Sequence, residues 1–374
     1  MAEDSAKKPA GRRLLSVDAL RGFDMFFISG GGWFIVQLEG KTGMRWVDAV
    51  AQQMEHTAWH GFTFYDFIFP LFLFISGVSL SLSLTRSLEK GAGKTDLYKK
   101  AFRRMIILFI LGLIYKNSPI HFTEPSTIRF SSVLGRIGIA TFVTTLLYLN
   151  FNNRQRLYWV AGILLAYYAA LFLIPVPGYG AGDLSIEGNL TGWIDRHIMP
   201  GKLIQGIYDE NALTADLPAV CITILGAWAG NIINRKNSSD PKKTWQLTLA
   251  GAVLLGLGLL WGLHFPINKH LWSSSFILLT SGLGFLVLAL FFFIIEVRNY
   301  RRWAFFFKVI GMNSLAIYYT YHFINFNYTS RKLFDGFYVL FDEKWHDVLV
   351  SIGTIGLVWS FLYFLYRKKI FFKV

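Results

Sequence analysis

The chain alternates between long apolar segments and shorter polar ones. Ten apolar segments of roughly 16 to 25 residues recur, each close to the length that a helix needs to cross about 30 Å of hydrocarbon. They lie at residues 14–38, 63–85, 101–116, 130–150, 157–175, 212–233, 245–263, 272–296, 303–324 and 347–366. The pattern predicts an all-α polytopic membrane protein with about ten transmembrane helices packed in one bundle.

The composition supports this class. Hydrophobic residues make up 53% of the 374 residues and charged residues only 16%, whereas a soluble domain averages about 25% charged residues. The single cysteine, Cys221, lies inside an apolar segment. A disulfide framework and a thiolate metal cluster are therefore both excluded.

The positive charges are distributed unevenly between alternate loops. Of the 37 Lys and Arg residues, 24 fall in one set of loops, 10 in the other, and three inside the apolar segments. The positive-inside rule then predicts both termini in the cytoplasm, with tails at 1–13 and 367–374, a transmembrane domain at 14–366 and a long external loop at 176–211. The net charge of +14 is explained by these loops, so we expect the lipid bilayer, and no nucleic acid, as a partner.

One stretch places ionisable groups at the mouth of a membrane helix. His56 and His60 are one helical turn apart, and Asp66 follows directly before an apolar run at 67–75. Ionisable groups at such a position are typically functional. The alternative is that the histidines belong to a surface loop and Asp66 only caps the helix. A zinc site is not expected, because the HxxxH spacing lacks the glutamate of HExxH.

Other ionisable residues lie inside the apolar segments. Asp18, Arg21 and Asp24 are spaced three apart and can share one helix face, either as an ion-paired strut or as a ligand site. Arg136, between two glycines in LGRIG, requires a carboxylate, a cluster of carbonyl groups or an anionic ligand, and we favour a functional role.

The predicted orientation sorts these residues into two tiers. Asp18 and Arg21 fall in the inner half of the membrane. The outer tier contains His56, His60, Asp66, Arg136, Asn268, Lys269 and the Trp272–Ser275 segment. The outer loop 176–211 carries Trp193, Asp195, Arg196 and His197, which would suit sugar binding. A small polar patch at 311–314, which includes Asn313, is explained equally by helix packing and by substrate contact.

Several short motifs occur in an order typical of one family. They are SVDALRG at 16–22, HTAWHGFTFYDFIFP at 56–70, LGRIG at 134–138, PVPG at 175–178, GWIDR at 192–196, YDENAL and LGAWAG within 208–230, INKHLWSSS at 267–275, GMNSLAIY at 311–318 and LYRKKIFFKV at 365–374. With these motifs the chain resembles the heparan-α-glucosaminide N-acetyltransferase family, transmembrane enzymes that move acetyl from acetyl-CoA to a glucosamine amine. It is most similar to the short bacterial members.

The resemblance implies roles for individual residues. His56 matches the catalytic histidine of the family and Asp66 the aspartate that opens the second span, while His60 is better suited to substrate contact. Many relatives carry an asparagine, implicated in acetyl handling, where this chain has Ile28 and Ser29. The residues expected to bind sugar or CoA are His60, Arg21, Asp18, Arg136, Asn268, Lys269, Trp272, Ser275, Asn313 and Tyr318.

The resemblance also implies partners and a location. Acetyl-CoA would be the co-substrate, with no metal, and the acceptor would be an aminosugar or a glycosaminoglycan fragment such as one from heparan sulfate. A homodimer in a bacterial cytoplasmic (inner) membrane is expected on the same ground. Residues 14–366 would then form a transmembrane acyltransferase domain.

The chemistry of acetyl transfer points to the same histidine. An amine near neutral pH is largely protonated, and a histidine with a pKa near about 6.5 can accept the proton. His56 could act as general base or as a transient acetyl carrier, and the sequence leaves both open. Two other functions also stay open: transport of an aminosugar or glycan fragment, and O-acyl transfer to another glycan.

Overall fold

The computed structural model describes residues 14–119 and 123–372. The predicted N-terminal tail at 1–13 lies outside the described residues, as do the last two residues of the predicted C-terminal tail. The described residues are helical, with two isolated β-bridges and no β-strand. The predicted all-α class is therefore confirmed for this part of the chain.

Each of the ten predicted apolar segments is helical. The α-helices are α1 Leu15–Phe26, α2 Gly32–Val36, α3 Arg45–Gln52, α4 Phe64–Glu89, α5 Lys94–Lys116, α6 Val133–Asn150, α7 Asn153–Leu173, α8 Leu190–Ile198, α9 Leu213–Ile233, α10 Asp240–Gly262, α11 Ser274–Phe292, α12 Ala304–Met312, α13 Ser314–Phe323, α14 Phe326–Tyr338 and α15 His346–Arg367. A π-helical turn at Phe27–Gly31 joins α1 to α2, and another at Phe293–Val297 extends α11. Short 3-10 turns occur at Pro125–Thr127 and Glu343–Trp345.

Seven helical segments are long and apolar enough to cross a membrane by length and composition. They are α4, α6, α7, α9, α10, Ser274–Val297 and Glu343–Arg367. The other three predicted spans are helical but differ in character. The first is broken where Gly30 adopts a φ of 120°, the ninth is divided at Asn313, and α5 begins in a basic segment. The chain is thus a polytopic membrane protein, while the number of spans and the side of each terminus stay predictions.

The helices divide into a central group and a peripheral group. Most of the apolar stretch of α4, α9 and α11 is buried, whereas only 28% of that of α7 and 17% of that of α10 is buried. Large apolar side chains cover the exposed face of α10, among them Leu249, Val253 and Leu257. Lipid tails can solvate such a face, because they are as apolar as leucine.

Glycines allow the central helices to approach closely. A Cβ built on Gly77 of α4 would lie 2.0 Å from the Thr223 carbonyl oxygen of α9. A Cβ on Gly311 of α12 would lie 2.1 Å from the Asp18 carbonyl oxygen of α1. Small residues at such crossings are typical of membrane bundles. At Gly311, therefore, the small polar patch serves helix packing, one of its two predicted explanations.

Candidate active site

The two oxygens of Asp66 have different partners. Helix α4 begins after the N-cap residue Thr63, and a capping box links Thr63 to Asp66. Asp66 Oδ2 accepts the Thr63 N–H at 3.2 Å and the Thr57 hydroxyl at 3.1 Å. Asp66 Oδ1 lies 2.7 Å from His56 Nδ1. The capping and functional interpretations of Asp66 are thus compatible, because one carboxylate oxygen caps the helix while the other contacts His56.

His56 combines a buried partner with an accessible ring. The Asp66 side chain is 1% exposed and the His56 side chain 47% exposed. A carboxylate accepts hydrogen bonds and donates none, so His56 Nδ1 carries the proton and Nε2 holds the lone pair. The Tyr65 ring packs against the imidazole, with 4.8 Å between ring centroids. The imidazole is therefore oriented for proton transfer at Nε2.

Lys269 brings a buried cation to the same point. Its side chain is 6% exposed, and its Nζ lies 3.0 Å from His56 Nδ1 and 3.3 Å from Nε2. The same Nζ is 3.5 Å from Asp66 Oδ1 and 3.7 Å from Glu210 Oε2. A buried ammonium needs such compensation, since an unpaired buried charge is costly.

His60 and Asn268 join the loop before α4 to the loop before α11. Asn268 Nδ2 donates to His60 Nδ1 at 3.1 Å, and the Gly61 N–H donates to the Ile267 carbonyl at 2.9 Å. Partial burial lowers the pKa of His60, which favours the neutral ring that this hydrogen bond requires. The two residues that were predicted to bind substrate thus contact each other.

Hydrogen bonds fix the segment that presents Lys269. The Asn268 Oδ1 accepts the Leu271 N–H at 2.8 Å, and Ser273 Oγ accepts the Asn268 N–H at 3.0 Å. Ser275 donates its hydroxyl to the Phe265 carbonyl at 2.7 Å. Trp272 adopts a φ of 50°, a left-handed conformation that costs free energy for a bulky residue.

Arg136 contacts the segment that presents Lys269 through the Trp272 ring. Its Nε donates to Asp216 Oδ1 at 2.5 Å and its Nη2 to the Ala212 carbonyl at 3.2 Å. The guanidinium lies 4.4 Å from the centroid of the Trp272 ring, and Trp272 Nε1 donates to the Glu210 carbonyl at 3.0 Å. Arg136 therefore contacts the residues that position the site, and its carboxylate partner is Asp216.

A cavity of about 540 Å³, here called the histidine pocket, opens beside His56. Its lining includes His56, Thr57, Tyr208, Glu210 and His270. His270 Nδ1 lies 3.6 Å from Glu210 Oε2, and Trp59 stacks on the His270 ring at 5.4 Å.

No functional role was predicted from the sequence for four residues of this region, Trp59, Tyr208, Glu210 and His270. Tyr208 and Glu210 lie in the family motif YDENAL, His270 lies in INKHLWSSS, and Trp59 lies in HTAWHG. Their presence in these motifs is the feature of the sequence that could have indicated them.

A second cavity of about 670 Å³, here called the basic cavity, runs along α4. Five cations line it, namely Arg21, Arg86, Lys90, Lys100 and Arg104. The Arg104 Nε is buried and has no hydrogen-bond partner among the described residues. Along α4 the lining extends from Phe69 to Ser87, a distance of about 27 Å at roughly 1.5 Å per residue.

The remaining predicted site residues belong to the basic cavity or lie next to it. Asp18, Arg21 and Tyr318 line it, and Arg21 Nη1 is 3.7 Å from Asp18 Oδ1. Asn313 is buried, donates to the Ile370 carbonyl and accepts the Phe372 N–H. These residues therefore do not meet His56. Among the described residues no group of three or more His, Cys, Asp or Glu could hold a metal, and the absence of a metal stays a prediction.

Comparison with known proteins gives one consistent family. Residues 13–264 match the family model described as "Heparan-alpha-glucosaminide N-acetyltransferase, catalytic". The human heparan-alpha-glucosaminide N-acetyltransferase is 28% identical over 431 aligned positions, which cover 97% of this chain and 60% of the relative. The mouse protein of the same name is 27% identical, with 100% of this chain and 62% of the relative covered. The chain thus spans about 60% of the length of these curated relatives.

Proposed function

The chain belongs to the heparan-alpha-glucosaminide N-acetyltransferase family, and from that premise we propose that it transfers acetyl from acetyl-CoA to the amine of a glucosamine-type sugar. The observation that carries the proposal is the 2.7 Å contact between His56 and a buried Asp66 at the edge of the histidine pocket. Relatives with this name are acetyltransferases, so transferase chemistry in a membrane is the family-level function.

His56 is proposed to act as the general base. The Nε2 lone pair accepts a proton from the acceptor amine as the nitrogen–carbon bond forms, and the carbon–sulfur bond to CoA breaks. The acceptor attacks as the neutral amine, after its ammonium form has released one proton to solvent. The proton that His56 takes up then passes to the leaving thiolate, which balances the reaction. Asp66 stabilises the imidazolium that exists between these two transfers.

Lys269 is proposed to stabilise the carbonyl oxygen of the acetyl group. Negative charge develops on this oxygen during acyl transfer, and a fixed cation at the reaction centre lowers the barrier. The Lys269 ammonium lies within 3.3 Å of the nitrogen that acts as base. Burial strengthens its effect, because there is little water nearby to screen the charge.

The basic cavity is the proposed site for CoA. Its five cations suit the phosphates of the nucleotide, and the Arg104 Nε, which has no hydrogen-bond partner in the described part of the chain, is a donor that such an anion would satisfy. Phe69, on the lining, follows Asp66 by three residues on α4, which is about 4.5 Å along the axis. A pantetheine arm along α4 would therefore approach the catalytic pair.

One family contact is replaced at the first span. Ile28 lines the basic cavity, and the Ser29 hydroxyl donates to the Met25 carbonyl at 2.8 Å. Neither side chain offers the free amide of the asparagine found in many relatives. We propose that Lys269 takes over the contact to the acetyl oxygen.

The proposal also assigns each of the two cavities to one side of the membrane. The basic cavity would open to the cytoplasm, where the basic loops are predicted, and the histidine pocket to the opposite face. Acetyl would then cross from one compartment to the other through a single protein. The division into tails and a domain at 14–366, a homodimer and a bacterial cytoplasmic membrane belong to the same proposal and rest on the resemblance.

The test uses purified protein in lipid nanodiscs with radiolabelled acetyl-CoA and glucosamine. We expect label in N-acetylglucosamine, and a loss of about 10³-fold or more in kcat for His56→Ala. His346→Ala is the matched control, because His346 starts α15 and lines neither cavity. Full activity of a folded His56→Ala protein would overturn the proposed role.

Two further measurements separate the open alternatives. Label that stays on the protein when the acceptor is omitted would support the acetyl-carrier role of His56 over the general-base role. Uptake of labelled glucosamine into vesicles that contain no CoA would support transport. Product formed only on sugar hydroxyl groups would support O-acyl transfer.

A further inference from the structure

The lining of the histidine pocket carries a single carboxylate and, among the described residues, no lysine or arginine. We infer that its acceptor is an aminosugar whose only charge is its ammonium group, and that sulfated or uronate-containing sugars are excluded. The inference rests on the proposed function and specifies the substrate class of the same site.

Glu210 supplies the negative charge that would meet the ammonium. Its side chain is 28% exposed, so the carboxylate reaches the pocket while it also approaches Lys269. Two carboxylates, Asp66 and Glu210, share the one ammonium of Lys269. With neutral histidines this group carries one net negative charge, which attracts a cation and repels an anion.

The cations nearest to the pocket are bound by protein acceptors. Lys269, whose Nζ lies 3.0 Å from His56 Nδ1, is 6% exposed and is shared by Asp66 and Glu210. Arg129 makes two hydrogen bonds to Asp209, at 2.6 and 2.7 Å. Arg196 donates to the carbonyls of Ile207 and Glu187. Neither guanidinium is on the lining. A sulfate or carboxylate on the acceptor would therefore enter without the bidentate arginine contact that such anions require when they leave water.

Neutral groups supply the rest of the lining. Thr57, Gln205 and Tyr208 offer uncharged hydrogen-bonding groups of the kind that bind sugar hydroxyls. Trp59, stacked on His270, lies edge-on to Tyr208, with 5.1 Å between centroids. Of these rings, Tyr208 and His270 are on the lining, and aromatic rings at such a position can pack against the apolar face of a pyranose. The lining thus suits an uncharged sugar ring with one amine.

Glucosamine and glucosamine 6-sulfate test the inference, because they differ by one anionic group. With purified protein and acetyl-CoA we expect kcat/KM to be at least about tenfold higher for glucosamine. Glu210→Gln should raise the KM for glucosamine about tenfold and reduce the preference over the sulfate, since the charge that distinguishes them is gone. Equal or better use of the sulfate by the unaltered protein would overturn the inference.

Two further variants test whether the effects arise from charge in the pocket and not from a general loss of folding. Glu187→Gln makes the same charge change on an exposed residue of the same loop that is not on the lining, and it should leave the glucosamine kinetics unchanged. Gln205→Lys adds a cation at the rim and should raise kcat/KM for the sulfate severalfold. If Gln205→Lys has no effect on the sulfate, electrostatic exclusion is contradicted.

Direct binding separates failure of this inference from failure of the proposed function. Calorimetric titration of both sugars into the protein without acetyl-CoA should give binding of glucosamine at least about tenfold tighter than of its sulfate. That result without acetyl transfer would refute the proposed function and support the charge selection. Acetyl transfer to glucosamine combined with equal binding of both sugars would do the reverse.

Discussion

The histidine pocket and the basic cavity enclose similar volumes, about 540 and 670 Å³, but differ in how they are built. Loops that precede α4, α9 and α11 form the histidine pocket, where carboxylate oxygens lie 2.7 to 3.7 Å from histidine and lysine nitrogens. Helices form most of the basic cavity, and five cations line it.

This difference separates two physical tasks. Proton transfer depends on atoms placed within a few tenths of an ångström, which a network of short hydrogen bonds can provide. Holding a polyanion depends on summed charge, which tolerates larger displacements. We therefore expect substitutions of the His56–Asp66 pair to change kcat and substitutions in the basic cavity to change KM for acetyl-CoA.

Asp66→Asn gives the largest effect expected from this contrast. The asparagine Oδ1 can replace Asp66 Oδ2 and accept the Thr63 N–H, which turns the NH₂ group toward His56. The imidazole then has to accept at Nδ1 and carry its proton on Nε2, so the base is lost. We expect kcat to fall by about 10³ to 10⁴-fold with the helix start intact.

Steady-state kinetics and circular dichroism measure the two parts of this prediction. Asp48→Asn is the matched control, because Asp48 is a partly exposed carboxylate that accepts the Gly40 N–H and lines neither cavity. A kcat within a factor of about three of the unaltered protein would show that the proton does not pass through His56.

The sequence predicted the two regions to different degrees. Apolar length alone located every helical segment that builds the basic cavity, because a helix that crosses lipid must be long and apolar. The division at Asn313 was not predicted. A local conformational change of this kind leaves the hydropathy of the surrounding segment unaltered.

Local and distant contacts of the site also differed in predictability. His56 and Asp66 are only ten residues apart, and the capping box between Thr63 and Asp66 holds the carboxylate at the start of α4, so their pairing follows from local sequence. Asp216 pairs with Arg136 across 80 residues, and Glu210 and His270 come from separate loops. Loop residues show no periodicity that would indicate their partners, so the site became complete only in three dimensions.

The next largest effect is expected from the titration of Asp195, which lies in α8. Burial, with a smaller contribution from Asp209, raises the pKa of Asp195 to about 6, although Thr214 donates its hydroxyl to this carboxylate at 2.7 Å. The folded state thus retains a proton on Asp195 that the unfolded chain releases at about pH 4. The contribution of Asp195 to the free energy of unfolding is therefore fully present below about pH 4 and is lost as the pH rises toward 6.

Hydrogen exchange at pH values from 4 to 7 measures this loss. We expect protection of α8 to fall by the equivalent of about 2 to 3 kcal/mol as pH rises through 6, and that of α5 to change little. In Asp195→Asn the slope should disappear, because no proton is exchanged. An unchanged slope in that variant would assign the effect to another group.

Arg104→Gln gives the smallest effect and tests the other side of the contrast. The Arg104 Nε lacks a hydrogen-bond partner among the described residues, and five cations line the cavity. Removing one of five positive charges weakens attraction for the CoA phosphates without moving His56, so KM for acetyl-CoA should rise about tenfold while kcat is retained. Added salt should raise KM less steeply in the variant, since fewer charges remain to be screened. Arg154→Gln is the control, as it removes an arginine of the first turn of α7, which is not on the lining. A fall in kcat at unchanged KM would mean that the basic cavity acts on the reacting atoms, and the two regions would no longer differ in task.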